Sequence, residues 1–344
     1  MTSTIGNHSH DTGPIRFELT AAEADQLQHA VNRLARDAGS GRHPDLGALG
    51  PAAVRVLPER LVDALDAFRR QEPAGGFVIR GWQVDDTLIG PTPEHWDNRQ
   101  ESSRTVREEL YLVLASSILG DVFAWSTVQG GRLVQDLLPI KGEEQHKSAG
   151  SSASLLDLHN EDAFSRLRCD YLALLCLRND DKIPTSYAAL DISSLTPEQR
   201  RVLAEPRYVL TPDTEHIRRA VERGETPPAP PKTGVLFGDP QDPYLAFDEY
   251  FIETEPEDDQ ARDALGALVH QLMDAQDDMA LEPGDLLIID NYRAVHGRKP
   301  FQARYDGRDR WLKRLSITRD LRKSRTARES ADSRVINTGM AALI

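Results

Sequence analysis

The chain has 344 residues, of which 39% are hydrophobic, enough for a substantial core in one large domain or two ordinary ones. A net charge of −14 and a pI near 5.2 exclude a surface built to neutralise nucleic-acid phosphates and point to small-molecule partners, a cationic one included. With neither a basic leader ahead of an apolar core nor a run near ~18 apolar residues, the expectation is a soluble, cytoplasmic protein with no membrane partner.

Residues 1–15 are polar and are expected to be disordered. "TAAEADQLQHAVNRLARDAGSG" (20–41) predicts a helix: Thr20 and Glu23 form a Thr-x-x-Glu capping box, apolar residues recur at helical spacing, and glycines stop it. "RLVDALDAFRRQ" (60–71) and "SSRTVREELYLVLASSILGD" (102–121) predict two more helices. From residue 121 the texture changes to short β-rich runs broken by turns: "DVFAWSTV", "RCDYLALLCLRN", "RYVLTP", "GVLFGD", "YLAFD", "GDLLIIDN" and "LKRLSITRD". Helical inserts at "LTPEQRRVL" and "DDQARDALGALVHQLMDAQDD" interrupt them.

Many short strands without parallel βαβ alternation predict a mainly β fold, a sandwich or jelly-roll barrel flanked by helices. "ERGETPPAPPKTG" (222–234) is too proline-rich for a central strand and reads as a surface loop. No linker divides residues 16–325, which read as a single domain, and residues 326–344 read as a loosely ordered tail. Cys169 and Cys176, seven residues apart in one apolar run, would lie on opposite faces of a strand and could not pair.

The candidate chemistry begins at "DLHNEDAF" (157–164). In an extended strand His159 and Glu161 share a face and Asn160 points away. Alone, the pair reads more readily as two polar residues on a solvated strand than as two ligands. Of ten histidines, His296 stands apart, because "PGDLLIIDNYRAVHGRKPF" places it at the rim of a core after an apolar strand and a turn. Two histidines and one carboxylate on one face of an octahedron are the ligands of non-haem Fe(II) oxygenases. Zinc competes for such a set, although the helical His-Glu-x-x-His pattern is missing. Arg310 and Arg314 follow His296 by fourteen and eighteen residues. Guanidinium groups there could fork onto carboxylates, or belong to a solvated basic face.

These stretches, with "GDVFAWSTVQGGRLVQDLLPIKG" (120–142) and "YDGRDRWLKRLSITRDLRKSR" (305–325), strongly resemble the clavaminate synthase-like branch of the Fe(II)/2-oxoglutarate-dependent dioxygenases. The likeness is closest to its hydroxylases of free L-arginine, L-asparagine and L-lysine, and it covers most of residues 75–325. It implies a double-stranded β-helix core, Fe(II) held by His159, Glu161 and His296, 2-oxoglutarate as co-substrate and O2, with ascorbate helpful in assays. It further implies that Arg310, assisted by Thr185, grips the far carboxylate of 2-oxoglutarate. Arg314 then binds the α-carboxylate of an amino-acid substrate and Glu161 accepts from its α-amine.

In "PYLAFDEYF" (243–251) Asp248 stands where the arginine enzymes carry the first of two aspartates, Tyr250 replaces the second, and Val128 replaces an upstream polar residue. One carboxylate beside an aromatic ring suits a compact ammonium, which favours lysine, then arginine, with hydroxylation at C3 or C4. Desaturation on the same substrates and a non-catalytic jelly-roll binder are the alternatives.

Overall fold

The structure, a computed structural model, describes residues 13–37, 49, 53, 55–98, 103–146, 150–222, 224 and 229–337. The glycine stop of the first helix, most of the N-terminal segment and the last residues of the tail lie outside the described residues.

Two facing sheets form a jelly roll. With strands numbered along the chain, the larger sheet runs in the order β1 (Ile15–Glu18), β2 (Gly76–Arg80), β14 (Leu286–Asp290), β6 (Tyr171–Arg178), β16 (Trp311–Thr318), β3 (Asp121–Trp125) and β17 (Val335–Ile336). Strand β4 (Val134–Leu137) also pairs with β16. The smaller sheet has the order β13 (Asp277–Met279), β7 (Thr185–Ala189), β15 (Ala294–Arg298) and β5 (Leu156–His159). A three-stranded sheet of β8 (Tyr208–Leu210), β9 (Lys232–Thr233) and β12 (Ile252–Thr254) and a hairpin of β10 (Leu236–Asp239) and β11 (Asp242–Leu245) complete the β-structure.

Alternation along β6 explains the layering. Tyr171, Ala173, Leu175 and Leu177 face a helical layer, while Leu172, Leu174 and Cys176 face the space between the sheets. The helical layer comprises α1 (Ala21–Asp37), α2 (Glu59–Gln71), the short α3 (Asp86–Ile89) and α4 (Val106–Ser116), the last buried from Glu108 to Ser116. Helix α1 has the predicted capping box: Thr20 N–H donates to Glu23 at 2.8 Å and Glu23 N–H to the Thr20 hydroxyl at 3.3 Å. On the opposite side, α5 (Pro197–Ala204) and α7 (Asp259–Asp274) cover the smaller sheet through Leu203 and Leu268 against Leu158, Ala188 and Val295. Helix α6 (Thr214–Glu222) precedes the proline-rich stretch, of which residues 223 and 225–228 lie outside the described residues, while Lys232 and Thr233 form an edge strand.

Two expectations change. Cys169 precedes β6 rather than lying in it, so strand parity does not apply; both cysteines are free and belong to the same apolar cluster between the sheets. Residues 326–337 are packed, not loose: Ile336 is buried in parallel pairing with β3, and the buried Arg328 guanidinium donates to the carbonyls of Ala331 (2.8 Å) and Ser333 (2.5 Å). Capping a sheet edge with chain removes an unpaired ladder, which offsets the polar composition of this segment.

The fold also buries a charged group behind the site. Lys313 of β16 is fully buried on the helix side, its ammonium 2.9 Å from Glu109 and 2.6 Å from Asp136, and Asp136 also accepts from the Trp311 indole at 2.7 Å. Replacing Lys313 by Met would leave two carboxylates buried without their cation. Lys313→Met is therefore expected to cost about 3–5 kcal/mol in urea denaturation, far more than loss of an exposed pair such as Arg70–Asp66.

Candidate active site

The register of β5 on β15 sets His159 directly opposite His296, with ring centroids 4.3 Å apart. Glu161 joins them although it lies two residues past the strand, at the start of a turn. Its carboxylate is 3.7 Å from His296 Nε2, and one donor atom from each of the three residues lies within 4.8 Å of the others.

Two buried asparagines fix this geometry. Asn160 turns away from the cluster, as alternation predicts, but into the protein: its amide donates to the Ala294 carbonyl at 2.8 Å and its oxygen accepts from Phe247 N–H at 2.9 Å. Asn291 holds the Glu161 peptide from both sides, accepting from its N–H at 2.8 Å and donating to its carbonyl at 2.9 Å. The donor set suits a divalent iron. His159 Nδ1 faces the Asp157 carbonyl at 2.8 Å, which leaves Nε2 for a metal, and burial together with His159 and Arg314 holds His296 well below the usual imidazole range, in the neutral ligand form.

The cavity beside the triad is lined by all the sequence-predicted site residues except one. Arg310 is buried and donates to the Thr185 hydroxyl at 2.8 Å. Burial without a carboxylate partner pushes its pKa down to about 10. Arg314 donates from Nη1 to the Glu161 carboxylate at 2.6 Å and from Nε to the Gln135 side-chain amide oxygen at 2.8 Å. Asp248 forms an antiparallel bridge with His159, and one of its oxygens accepts from the N–H groups of Tyr250 and Phe251, each at 3.0 Å. Asp248 thus caps the local turn and also lines the cavity. Tyr250 is 55% exposed at the rim. Val128 is the exception: it packs with the apolar cluster between the sheets and does not line the cavity.

Its neighbour Thr127 instead belongs to a network that the sequence did not reveal. His216 of α6 is fully buried, with Nε2 3.0 Å from Asp162, Nδ1 2.8 Å from the Thr127 hydroxyl, and its backbone N–H donating to Asp213 at 3.0 Å. Asp162, the residue after Glu161, also accepts from the Trp125 indole at 2.6 Å and has a positive φ of 54°. Burial opposes charging of His216, but Asp213 and Asp162 prevail and raise its pKa from 6.5 to about 9. Asp213 lines the cavity together with Asp248. No period or motif marks these residues; their separation in sequence hides them.

Residues 108–316 match the model of the taurine catabolism dioxygenase TauD, TfdA family, and the chain belongs to that family. It is an Fe(II)- and 2-oxoglutarate-dependent oxygenase that uses O2. The chain is 39% identical to the L-ornithine/L-arginine 3-hydroxylase of Catenulispora acidiphila, covering 86% of this chain and 94% of that one. It is 38% identical to the enduracididine beta-hydroxylase of Streptomyces hygroscopicus, covering 81% and 87%. Among solved structures, the non-haem iron oxygenase OrfP in complex with Fe, succinate and (3S)-hydroxy-L-Arg superposes with a TM-score of 0.86 at 40% identity, over 94% of this chain and 99% of the other. The jelly-roll expectation is thereby met. Among the described residues no helix is long and apolar enough to cross a membrane.

The raised pKa of His216 carries a stability consequence. A group whose folded pKa exceeds its unfolded value stabilises fully below the unfolded value and loses that contribution as pH rises through the folded one. The metal-free protein should therefore lose stability between pH 6.5 and about 9 by a component that is absent from His216→Phe. Urea denaturation of both proteins across that window measures it.

Proposed function

We propose that the protein hydroxylates C3 of a free basic L-amino acid, with arginine preferred over lysine, releasing succinate and CO2. The observation that carries the preference is the pair of carboxylates at the substrate end, Asp213 and Asp248, approaching one cavity from different segments. A guanidinium presents a planar fork that two carboxylates can grip, whereas a compact ammonium needs only one. The lysine preference expected from the sequence rested on Asp248 as the sole acid. The named activities of the ornithine/arginine relative and the 3-hydroxylated arginine bound by OrfP support both the substrate and the carbon.

In this reading His159, Glu161 and His296 hold the iron, which with 2-oxoglutarate and O2 supplies the oxidant that replaces C–H by C–OH. Arg310, held by Thr185, grips the far carboxylate of 2-oxoglutarate. Arg314 takes the amino acid's α-carboxylate through Nη2 while its other nitrogens stay on Gln135 and Glu161, so the clamp is oriented before the substrate arrives. Glu161 accepts from the α-amine. Asp213 and Asp248 hold the cationic end, with Tyr250 at the rim. Fixing both ends of the substrate leaves the choice of carbon to the protein and the bond-breaking chemistry to the metal and co-substrate.

Incubation of the enzyme with Fe(II), 2-oxoglutarate, ascorbate and single L-amino acids should yield a product one oxygen heavier from arginine, and more slowly from ornithine or lysine. Loss of two hydrogens instead would mark a desaturase, and product from neutral amino acids alone would reject the basic-substrate reading. Asp213→Asn should raise KM for arginine at least about tenfold, the equivalent of one lost charge-assisted pair, with a smaller effect on lysine.

A further inference from the structure

A further buried cation lines the same cavity. Arg298 follows His296 by two residues on β15, and the ladder to β5 shifts register between them, a bulge of the kind that re-aims a side chain beside a site. The residue is 5% exposed. Its guanidinium donates from Nη1 to the Ser151 carbonyl at 2.5 Å and from Nη2 to the Ser151 hydroxyl at 3.0 Å and the Ser154 carbonyl at 3.2 Å, while Phe301 lies 5.0 Å below it. All of these acceptors are neutral. The Nε atoms of Arg298 and Arg310 are both buried without a hydrogen-bond partner.

The contrast with Arg314 is informative. Arg314 has the Glu161 carboxylate at 2.6 Å, whereas among the described residues neither Arg298 nor Arg310 has a carboxylate partner. Arg310 is itself a charge that disfavours the cationic form of Arg298, and burial with this like charge brings the pKa of Arg298 down to about 10. Two uncompensated guanidinium groups in a low-dielectric cavity are costly unless an anion of matching charge arrives. Their fields add at the place where that anion would sit.

We propose that Arg298 is a second cation of the co-substrate pocket, a positioning and specificity residue that makes the cavity select a dicarboxylate over a monocarboxylate 2-oxo acid. It acts through its charge, set beside Arg310 in the same cavity. The proposal rests on the assignment of Arg310 to the far carboxylate of 2-oxoglutarate.

The test is anaerobic calorimetry of the Fe(II)-loaded enzyme with 2-oxoglutarate and with 2-oxopentanoate, which has the same chain length but a methyl group in place of the far carboxylate. Arg310→Gln should cut the preference for 2-oxoglutarate more deeply than Arg298→Gln does; if the preference is unchanged, the Arg310 assignment fails first. With that control met, Arg298→Gln is expected to weaken 2-oxoglutarate about tenfold and to leave 2-oxopentanoate unchanged. Arg298→Lys, which keeps the charge and loses the fork onto Ser151, should retain most of the preference. Equal weakening of both acids by Arg298→Gln would reduce Arg298 to a support of pocket shape, and unchanged binding would remove it from the pocket altogether. If Arg298→Gln does not fold, the lysine variant decides alone, since loss of preference with the charge intact overturns the proposal.

Discussion

The site depends on one strand pairing. His159 on β5 faces His296 on β15, so a shift of that ladder by a single residue would turn one imidazole to the other face of the sheet. The register is held from outside the ladder. Asn160 ties β5 to the carbonyl of Ala294 and to Phe247, and Asn291 ties the turn carrying Glu161 to the end of β14. The Gly297 position shows how close the strands come: a Cβ there would stand 2.6 Å from the Leu156 carbonyl oxygen. The donor set is thus assembled by backbone-directed hydrogen bonds.

Charge divides the cavity into two ends. Arg310 and Arg298 leave the wall near Thr185 cationic, while Asp213, Asp248 and Asp162 make the opposite wall acidic, with His216 offsetting part of it. Arg314 and Glu161 form the neutral pair between them. The dianionic co-substrate is drawn to the cationic residues, and the basic side chain proposed for the substrate would be drawn to the acidic ones, so orientation follows from the field.

Much of this was legible in the sequence. The capping box of α1, the buried α4 and the β-rich texture after residue 121 follow from local periodicity, which is a short-range signal. The triad, Arg310, Thr185 and Arg314 came from spacing together with family resemblance, and all of them line one cavity. The Asp162–His216–Asp213 network was not visible, because Asp162 and His216 meet across 54 positions and nothing in the surroundings of His216 distinguishes it from a surface helix residue. Val128 lies in the turn after β3, where no strand alternation predicts which way a side chain points; it packs on the apolar cluster, while Thr127 beside it reaches the network. Strands β4 and β7 escaped notice because they mix polar with apolar residues and owe their form to the partners beside them.

Arg310 and Arg314 sit four residues apart at the start of β16, about 13 Å along an extended chain. Lys313 and Trp311, anchored on the opposite face to Asp136, hold that stretch as a rigid bar. If the two arginines take the carboxylates assigned to them, β16 is a ruler that sets the separation between co-substrate and amino-acid head group whatever the side chain beyond. Substrate range can then change through Asp213 and Asp248, which lie outside the ruler. A scaffold of this kind lets a lineage trade one amino acid for another without relearning where to place the oxygen.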